Sequence, residues 1–321
     1  MAKFNVEALL NQLAILRDRL NSDSELEAAV AEARQLLKSK QMLAVMHTAK
    51  WVGEQGLTQL IPDLVAAFDR FLIKPVETDP NCHAKGAIAD ALYRLNASAE
   101  AVFLQGIRHI QMEPVWGGRV DTAPPLRGIC AMGLVRMNYP DALTELADLL
   151  ADPEIPARIA AARAIAYSGN ESGAPLLRLR SLAGDEAEVI AECLGALIKL
   201  TPHSALPFAA RFLDAPSAQI QELTALAIGE SRLSGAFGLL QPWWGRQTDP
   251  ELRKSALLAI AMLRSDEAIQ FLLSLVAKGR PLDAKDAIAA LKLYQQDKLL
   301  WQRVEAAVEE RGEPSLLSAA Y

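Results

Sequence analysis

The chain has 321 residues, of which 51% are hydrophobic, 22% charged and 6% aromatic. This apolar content excludes a disordered chain, and the scarcity of aromatic and β-branched clusters argues against a β-sandwich or barrel. The formal net charge of −6 has the opposite sign to that of most proteins that coat DNA or an anionic membrane. We therefore expect neither nucleic acid nor a membrane as a partner.

The cysteines and the N-terminal residues indicate the cellular compartment of the protein. Cys82, Cys130 and Cys193 lie far apart without C-x-x-C spacing, and an odd, sparse set of cysteines is typical of a reducing compartment. The N-terminal sequence has no uninterrupted apolar segment of the kind found in secretory signals. No apolar stretch approaches the ~18 residues of a membrane span. These features predict a cytoplasmic protein.

A repeated segment, in which a basic residue is followed by small and apolar positions, organises most of the chain. Residues 85–92 and 158–166 are clear copies, and residues 189 and 221 begin weaker ones. The copies are anchored at Lys85, Arg127, Arg158, Val189, Gln221, Arg253 and Lys285. Successive anchors are 42, 31, 31, 32, 32 and 32 residues apart. A regular period of this length is typical of helical repeat proteins.

Each repeat is predicted to contain two helices. Asp-Pro pairs at residues 79–80, 152–153 and 249–250 predict helix starts, with Asp as the N-cap and Pro at the first helical position. Apolar residues then recur at i, i+3, i+4 and i+7, which is the period of a helix. No alternating run of strand length stands out.

Helical pairs of this length, with an acidic residue ahead of a basic anchor, resemble HEAT-like repeats, in particular the phycobilisome-lyase type. The resemblance implies an all-α, right-handed α-solenoid of about seven to eight HEAT-like helical-hairpin repeats. It also implies a structural ladder of acidic and basic side chains between successive repeats. The ladder residues would be Asp79, Lys85, Asp121, Arg127, Asp152, Arg158, Asp249 and Arg253.

One solenoid domain is expected over residues 1–321. Residues 1–40 would hold N-terminal capping helices at Phe4–Leu20 and Leu26–Ser39. Residues 41–312 would hold the repeats, beginning with a helix at Met42–Val52 that stops at Gly53 and ending with Lys298–Glu310. Residues 313–321 would form a frayed tail.

The longest spacing places an insertion near residues 111–125, and we expect it to be a loop. Its candidate binding residues, with one histidine just before it, are His109, Glu113, Trp116, Arg119 and Asp121. Insertions in solenoids often form the binding face, so Trp116 could anchor a ligand or partner. Alternatively, Trp116 fills a hydrophobic gap and Asp121 caps a helix.

Two adjacent tryptophans form the second candidate. The side chains of neighbouring residues on a helix point about 100° apart. Trp243 and Trp244 therefore cannot both be buried in the same helix–helix interface. We expect one to pack, and Trp244 is taken as a further candidate binding residue.

Sequence motifs for catalysis are lacking. There is no H-x-x-x-H, G-x-x-x-x-G-K-[ST] or G-x-S-x-G sequence. His83 beside Cys82 is either a fragment of a metal site or a surface histidine at a helix start. A helix start could lower the pKa of Cys82, whereas Cys130 and Cys193 are predicted to be buried, inert thiols. We predict no catalytic residue, metal or cofactor.

The leading function from the sequence is a non-enzymatic protein–protein interaction scaffold or adaptor, using the concave face and the 111–125 insertion. One alternative is a phycobilin-lyase-like enzyme that handles a tetrapyrrole. Another is a DNA-glycosylase-like HEAT-repeat protein, in which the basic anchors would line a nucleic-acid groove instead of a ladder.

Overall fold

The computed structural model describes residues 23–318. Two compact units divide the chain, Met1–Ser168 and Gly169–Tyr321. The helix predicted at Phe4–Leu20 lies outside the described residues, and the single domain over residues 1–321 stays a prediction. Among the described residues, no helix is both long and apolar enough to cross a membrane.

The described residues of the first unit form helices and one β-hairpin. Its elements are α1 (Asp23–Leu37), α2 (Met42–Gln55), α3 (Ile61–Phe71), α4 (Pro75–Thr78), α5 (His83–Arg94), α6 (Glu100–Ile107), β1 (Met112–Val115), β2 (Gly118–Asp121), α7 (Pro124–Arg136), α8 (Ala142–Leu150) and α9 (Ile155–Ser168). Short 3-10 turns at Thr58–Leu60 and Pro80–Cys82 precede α3 and α5.

The second unit is helical throughout its described residues. Its helices are α10 (Ala174–Ala183), α11 (Ala187–Leu200), α12 (Pro202–Ala210), α13 (Ala218–Ser231), α14 (Phe237–Arg246), α15 (Pro250–Met262), α16 (Asp266–Lys278), α17 (Pro281–Leu291), α18 (Lys298–Arg311) and α19 (Ser315–Ser318). Further 3-10 turns lie at Glu171–Gly173, Arg211–Asp214 and Lys292–Tyr294.

The helices that carry the anchors stack in chain order within each unit. In the first unit α2 packs on α5, α5 on α7, and α7 on α9; in the second, α11 packs on α13, α13 on α15, and α15 on α17. Each anchor lies within the first five residues of its helix. The repeat predicted from the sequence is therefore confirmed as a succession of helical pairs, and residues 23–318 are all-α apart from one hairpin.

Small residues let the stacked helices approach each other closely. A Cβ on Gly53 would lie 2.9 Å from the Ala91 Cα atom, and one on Gly229 would lie 2.4 Å from the Ala259 carbonyl oxygen. Gly53 therefore lies inside α2 and does not end it, contrary to the prediction. The helix continues to Gln55 and stops at Gly56, whose φ of 70° is in the left-handed region.

Two of the three α-helices begin later than the Asp-Pro pairs predict, by three residues after Pro80 and by two after Pro153. Pro250 does open α15, and the Asp249 carboxylate accepts hydrogen bonds from the next two amide groups of the helix. After Asp79, however, residues 81 and 82 adopt positive φ, so that α5 begins only at His83. After Asp152, α9 begins at Ile155, where a second proline occupies the first turn.

The acidic residues at these two positions still stabilise the helices that follow. The Asp79 carboxylate accepts from the backbone N–H groups of Ala84 at 2.7 Å and Lys85 at 3.0 Å. The Asp152 carboxylate accepts from the N–H of Glu154 at 2.8 Å. Asp79 thus caps α5 from a position ahead of the helix, whereas Asp152 fixes Glu154, the residue directly before α9.

Candidate functional site

The insertion is a β-hairpin, whereas the sequence predicted a loop. In the antiparallel pair, Met112 faces Asp121 and Val115 faces Gly118, which leaves Trp116 and Gly117 as the turn. Gly117 has a φ of 87°, a conformation that is costly for residues with a Cβ atom. The strands are too short to show a periodic pattern. The signal that could have revealed them is the pair of glycines between two short extended runs.

A buried carboxylate fixes the base of the hairpin to the preceding repeat. The Glu113 Oε1 atom accepts hydrogen bonds from the backbone N–H of Asn81 at 2.6 Å, from Gln111 Nε2 at 2.6 Å and from Thr122 Oγ1 at 2.8 Å. Burial raises the pKa of Glu113, but these donors outweigh it and hold the pKa below its ordinary value. Glu113 is therefore an ionised, fully engaged acceptor.

Gln111 lies at the centre of the same network and was missed by the sequence analysis. Its Nε2 atom donates to the Asp79 carbonyl at 2.9 Å, in addition to its bond with Glu113. Its Oε1 atom accepts from the Cys82 thiol at 3.2 Å and lies 3.2 Å from His109 Nε2. No motif in the sequence marks this glutamine, because its partners lie 29 and 32 residues earlier in the chain.

Asp121, the last residue of β2, fixes the end of the hairpin that leads to α7. Its Oδ1 atom accepts from the backbone N–H groups of Gln111 and Ala123, both at 3.0 Å, and its Oδ2 atom accepts from Arg127 Nη1 at 2.6 Å. Burial raises the pKa of Asp121, but the two amides and the guanidinium lower it further, so the net shift is downward. Asp121 thus fixes Ala123, the residue directly before α7, and binds Arg127 within that helix, but its side chain is not the N-cap of α7.

His109 is half-buried at the same base. Burial lowers its pKa below the ordinary 6.5, which the contact with Gln111 offsets only in part. The structure therefore brings His109, Glu113 and Asp121 together. It uses them to anchor the hairpin, and they do not form an open pocket.

The tip of the hairpin differs from its base. The Trp116 side chain is fully exposed, at 102% of its reference area, and Val115 and Val120 beside it are also exposed. Arg119 is exposed and donates from Nη2 to the Met112 carbonyl at 3.0 Å. The interpretation in which Trp116 fills a hydrophobic gap is therefore wrong, because no part of the chain that the structure describes covers the ring.

The tryptophan pair lies in the second unit and is largely packed. Trp243 is fully buried, and its Nε1 atom donates to the Leu213 carbonyl at 2.8 Å. Trp244 is half-buried: its ring meets that of Phe271 edge to face at 5.3 Å, and the Arg253 guanidinium lies 4.3 Å from its centroid. Trp244 is thus a partly covered side chain, in contrast to Trp116.

Buried ion pairs occupy much of the predicted ladder. Lys85 Nζ lies 2.9 Å from Asp79 Oδ2, and both side chains are 0% exposed. Arg127 bridges two repeats, because it binds Asp121 and also donates from Nη2 to Asp152 Oδ1 at 3.0 Å. Because Lys85 and Arg127 are buried and paired, they are not available to a phosphate backbone.

Arg158 and Arg253 also make contacts that the sequence did not predict. Arg158 donates from Nη1 to the carbonyls of Asp152 and Pro153, both at 2.8 Å. Arg253 binds Asp283 at 2.7 Å, a residue that the sequence analysis did not select, while Asp249 caps α15. Burial raises the pKa of Asp283, but its bonds to Arg280 and Arg253 lower it below its ordinary value.

The thiols are all buried and free. Burial raises the pKa of Cys82 to about 11, so the hypothesis of a thiol activated by a helix start is wrong. Burial also raises the pKa of Cys130 and that of Cys193. His83 is an exposed residue at the start of α5. Within residues 23–318, no group of three His, Cys, Asp or Glu side chains could hold a metal ion.

Comparison with known protein families finds a match for part of the second unit. Residues 205–292 match the family described as HEAT repeats. No curated protein matches the sequence.

Three solved structures are among those that match the chain at low identity. A chain of the CpcE–CpcF phycocyanin lyase complex from Nostoc sp. PCC7120 is 19% identical, with 87% of this chain and 93% of that chain covered and a TM-score of 0.37. Human deoxyhypusine hydroxylase is 18% identical, with 81% and 91% covered and a TM-score of 0.32. An engineered protein is 16% identical, with 97% of each chain covered and a TM-score of 0.39.

Similarity at this level supports no statement about function. The family match covers residues 205–292, which lie among the stacked helical pairs of the second unit.

Proposed function

We propose that this protein is a non-enzymatic interaction scaffold that uses the tip of the 112–121 hairpin to bind a protein partner. The observation that carries the proposal is the full exposure of Trp116 on a hairpin whose base is buried. Tryptophan is enriched among the residues that dominate binding energies at protein interfaces.

The anchoring of the hairpin supports this role. Three donors bind one oxygen of Glu113, and Asp121 is fixed by two amides and Arg127. A binding element that is ordered before association loses less conformational entropy when it binds. The turn therefore presents Trp116 from a fixed base.

The chemistry of the tip indicates what the partner should offer. Trp116, Val115 and Val120 supply apolar area, and the exposed Arg119 supplies a positive charge beside them. The best complement is an apolar pocket that admits an indole ring and carries a carboxylate at its rim.

An affinity pull-down analysed by mass spectrometry tests the proposal. The baits would be the unchanged chain, Trp116→Ala, and Leu299→Ala as a matched control that removes another exposed apolar side chain, on α18. We expect a protein that is retained by the unchanged chain and by Leu299→Ala but lost with Trp116→Ala. Retention of every captured protein by Trp116→Ala would overturn the proposal.

The purified chain also serves to test the two other functions considered from the sequence. A bound bilin absorbance band would favour the phycobilin-lyase-like function, and a salt-dependent shift of DNA would favour the glycosylase-like one.

A further inference from the structure

A pocket of about 390 Å³ lies in the first unit, away from the hairpin residues. Its lining consists of Lys40, Arg70, Phe71, Ile73, Lys74 and Thr78. These residues come from the connection between α1 and α2, from the end of α3, and from the segment that follows α3. Its volume falls within the range of ~300–1,000 Å³ that is usual for small-molecule sites.

The lining has an unbalanced positive charge. Three of its side chains are cationic and none is acidic. Within residues 23–318, the Lys40 ammonium has neither a hydrogen-bond nor an ion-pair partner. The Lys74 ammonium lies 3.7 Å from a Glu77 carboxylate oxygen, but both side chains are 72% exposed, so solvent screens this pair strongly.

The third cation is held in place by backbone groups. Arg70 Nη2 donates to the carbonyls of Leu37 at 2.6 Å and Ser39 at 3.0 Å. Burial lowers the pKa of Arg70, and no carboxylate offsets this shift. Arg70 therefore contributes a positive charge that is held by two backbone carbonyls and is not paired with a carboxylate among the described residues.

An apolar surface adjoins these charges. Phe71 is buried, with its ring centroid 5.3 Å from the Arg70 guanidinium carbon. Ile73 is 67% exposed, although it lines the same pocket. A ligand that neutralised the cations and also covered Ile73 would need both an anionic group and an apolar part.

The pocket wall is formed before any ligand binds. Lys74 has a φ of 51° and precedes Pro75, a backbone conformation that is costly for a residue with a side chain. The Thr78 hydroxyl stabilises it by donating to the carbonyls of Ile73 at 3.1 Å and Lys74 at 3.2 Å. A wall fixed in this way needs little rearrangement to accept a ligand.

We propose that this pocket binds a small organic anion with an apolar tail, of the class of medium-chain carboxylates. The carboxylate would lie between the Lys40 and Lys74 ammonium groups, in the positive field of Arg70. The tail would lie on Phe71 and Ile73. This site goes beyond the protein-binding role of the hairpin, because it uses none of the same residues.

Calorimetric titration of the full chain with decanoate tests the proposal. Two related probes separate the contributions: acetate carries the charge without the tail, and decanol carries the tail without the charge. We expect saturable binding of one decanoate per chain that weakens as salt concentration rises. Acetate and decanol should each bind more weakly than decanoate.

A pair of double variants identifies the site. Lys40→Gln with Lys74→Gln should raise the decanoate Kd by at least about fivefold, since two charge contacts are lost. Lys50→Gln with Lys298→Gln, two exposed lysines outside the pocket, should leave the Kd unchanged. Circular dichroism melts of both variants check that each is folded.

Three results would overturn the proposal. They are the absence of saturable decanoate binding to the unchanged chain, an equal Kd for the two double variants, and decanol binding as tight as that of decanoate. Arg70 is left intact in these tests because it also caps α1 through the Leu37 and Ser39 carbonyls.

Discussion

Arg127 illustrates how a charge can be buried in a helical repeat protein. Its side chain is 2% exposed and lies between the carboxylates of Asp121 and Asp152 while also donating to the His109 carbonyl at 2.9 Å. A buried guanidinium is stable in this position because acceptors with fixed positions bind its N–H groups. Removing it would leave two poorly solvated carboxylates without their counter-charge.

We expect Arg127→Ala to lower the free energy of unfolding by about 3–5 kcal/mol, the cost of breaking a buried ion pair by removing one partner. Urea denaturation followed by circular dichroism measures this change. Arg119→Ala is the control, because Arg119 is exposed on the hairpin and its loss should change stability by less than about 0.5 kcal/mol. Equal urea midpoints for the two variants would contradict the structural role of Arg127.

His109 should make stability depend on pH in a defined window. Burial lowers its folded pKa below the ordinary 6.5, so the unfolded chain binds more protons as the pH falls through 6.5. Stability is therefore lost on acidification from pH 7 to 5. The pKa values of Glu113 and Asp121 are lowered from 4.5 and 3.8 in the folded chain. These carboxylates therefore reduce the stability further only at a pH below that range.

Melting temperatures recorded between pH 7 and 5 test this assignment. The His109→Gln variant should show a shallower dependence on pH than the unchanged chain. His83→Gln, which alters an exposed histidine, should retain the original slope. If His109→Gln kept the full slope, the proton uptake would belong to another group.

Elements of the chain differ in how well the sequence predicts them. The helix predicted at Lys298–Glu310 is observed at Lys298–Arg311 and ends at Gly312, because a strong helical period and a glycine cap act together. The hairpin was missed because strands of four residues show no period. What holds it is a set of contacts between residues about 30 positions apart, such as that of Asn81 with Glu113.

The same distinction applies to the candidate site. Four of the five candidate binding residues around the insertion lie on the hairpin and His109 lies just before it, but their role in binding stays a prediction. The sequence could not predict which of these residues lie in the buried base and which lie at the exposed tip. That depends on which side chains contact residues 79–82, about 30 positions earlier in the chain. Trp116 was assigned to two opposite roles for this reason.

We expect mutations in the base of the hairpin to lower the melting temperature and a mutation at its tip to leave it unchanged. Deleting residues 113–122 removes Glu113, the acceptor of Asn81, and Asp121, one of the acceptors of Arg127. The melting temperature should therefore fall by roughly 2–4 °C for each kcal/mol lost. Trp116→Asn keeps Gly117 and the turn, and should leave the melting temperature unchanged. A deletion variant as stable as the unchanged chain would show that the buried network contributes nothing to stability.

For the whole chain, the repeat explains most of the organisation. Each anchor helix contacts the anchor helices before and after it within its unit, as expected for repeats that bury their apolar faces only by stacking. Composition and period were sufficient to predict this arrangement. The pocket beside Arg70 was not predictable, because it lies between segments that the repeat pattern does not describe.

The stability of the molecule should be independent of metals and of disulfide chemistry. All three thiols are free and buried, and the part of the chain described by the structure contains no metal-binding cluster. The melting temperature should therefore be the same with and without EDTA plus a thiol reductant. A sharp decrease with either reagent alone would reveal a metal or a disulfide that contributes to folding.

The most direct test of the proposed function compares partner affinity and stability in one variant. With the protein captured in the pull-down, Trp116→Ala should weaken binding by about 2 kcal/mol or more, or roughly thirtyfold in Kd. Its melting temperature should match that of the unchanged chain, because the indole ring is fully exposed. An unchanged Kd would contradict the assignment of the hairpin tip as the partner-binding site.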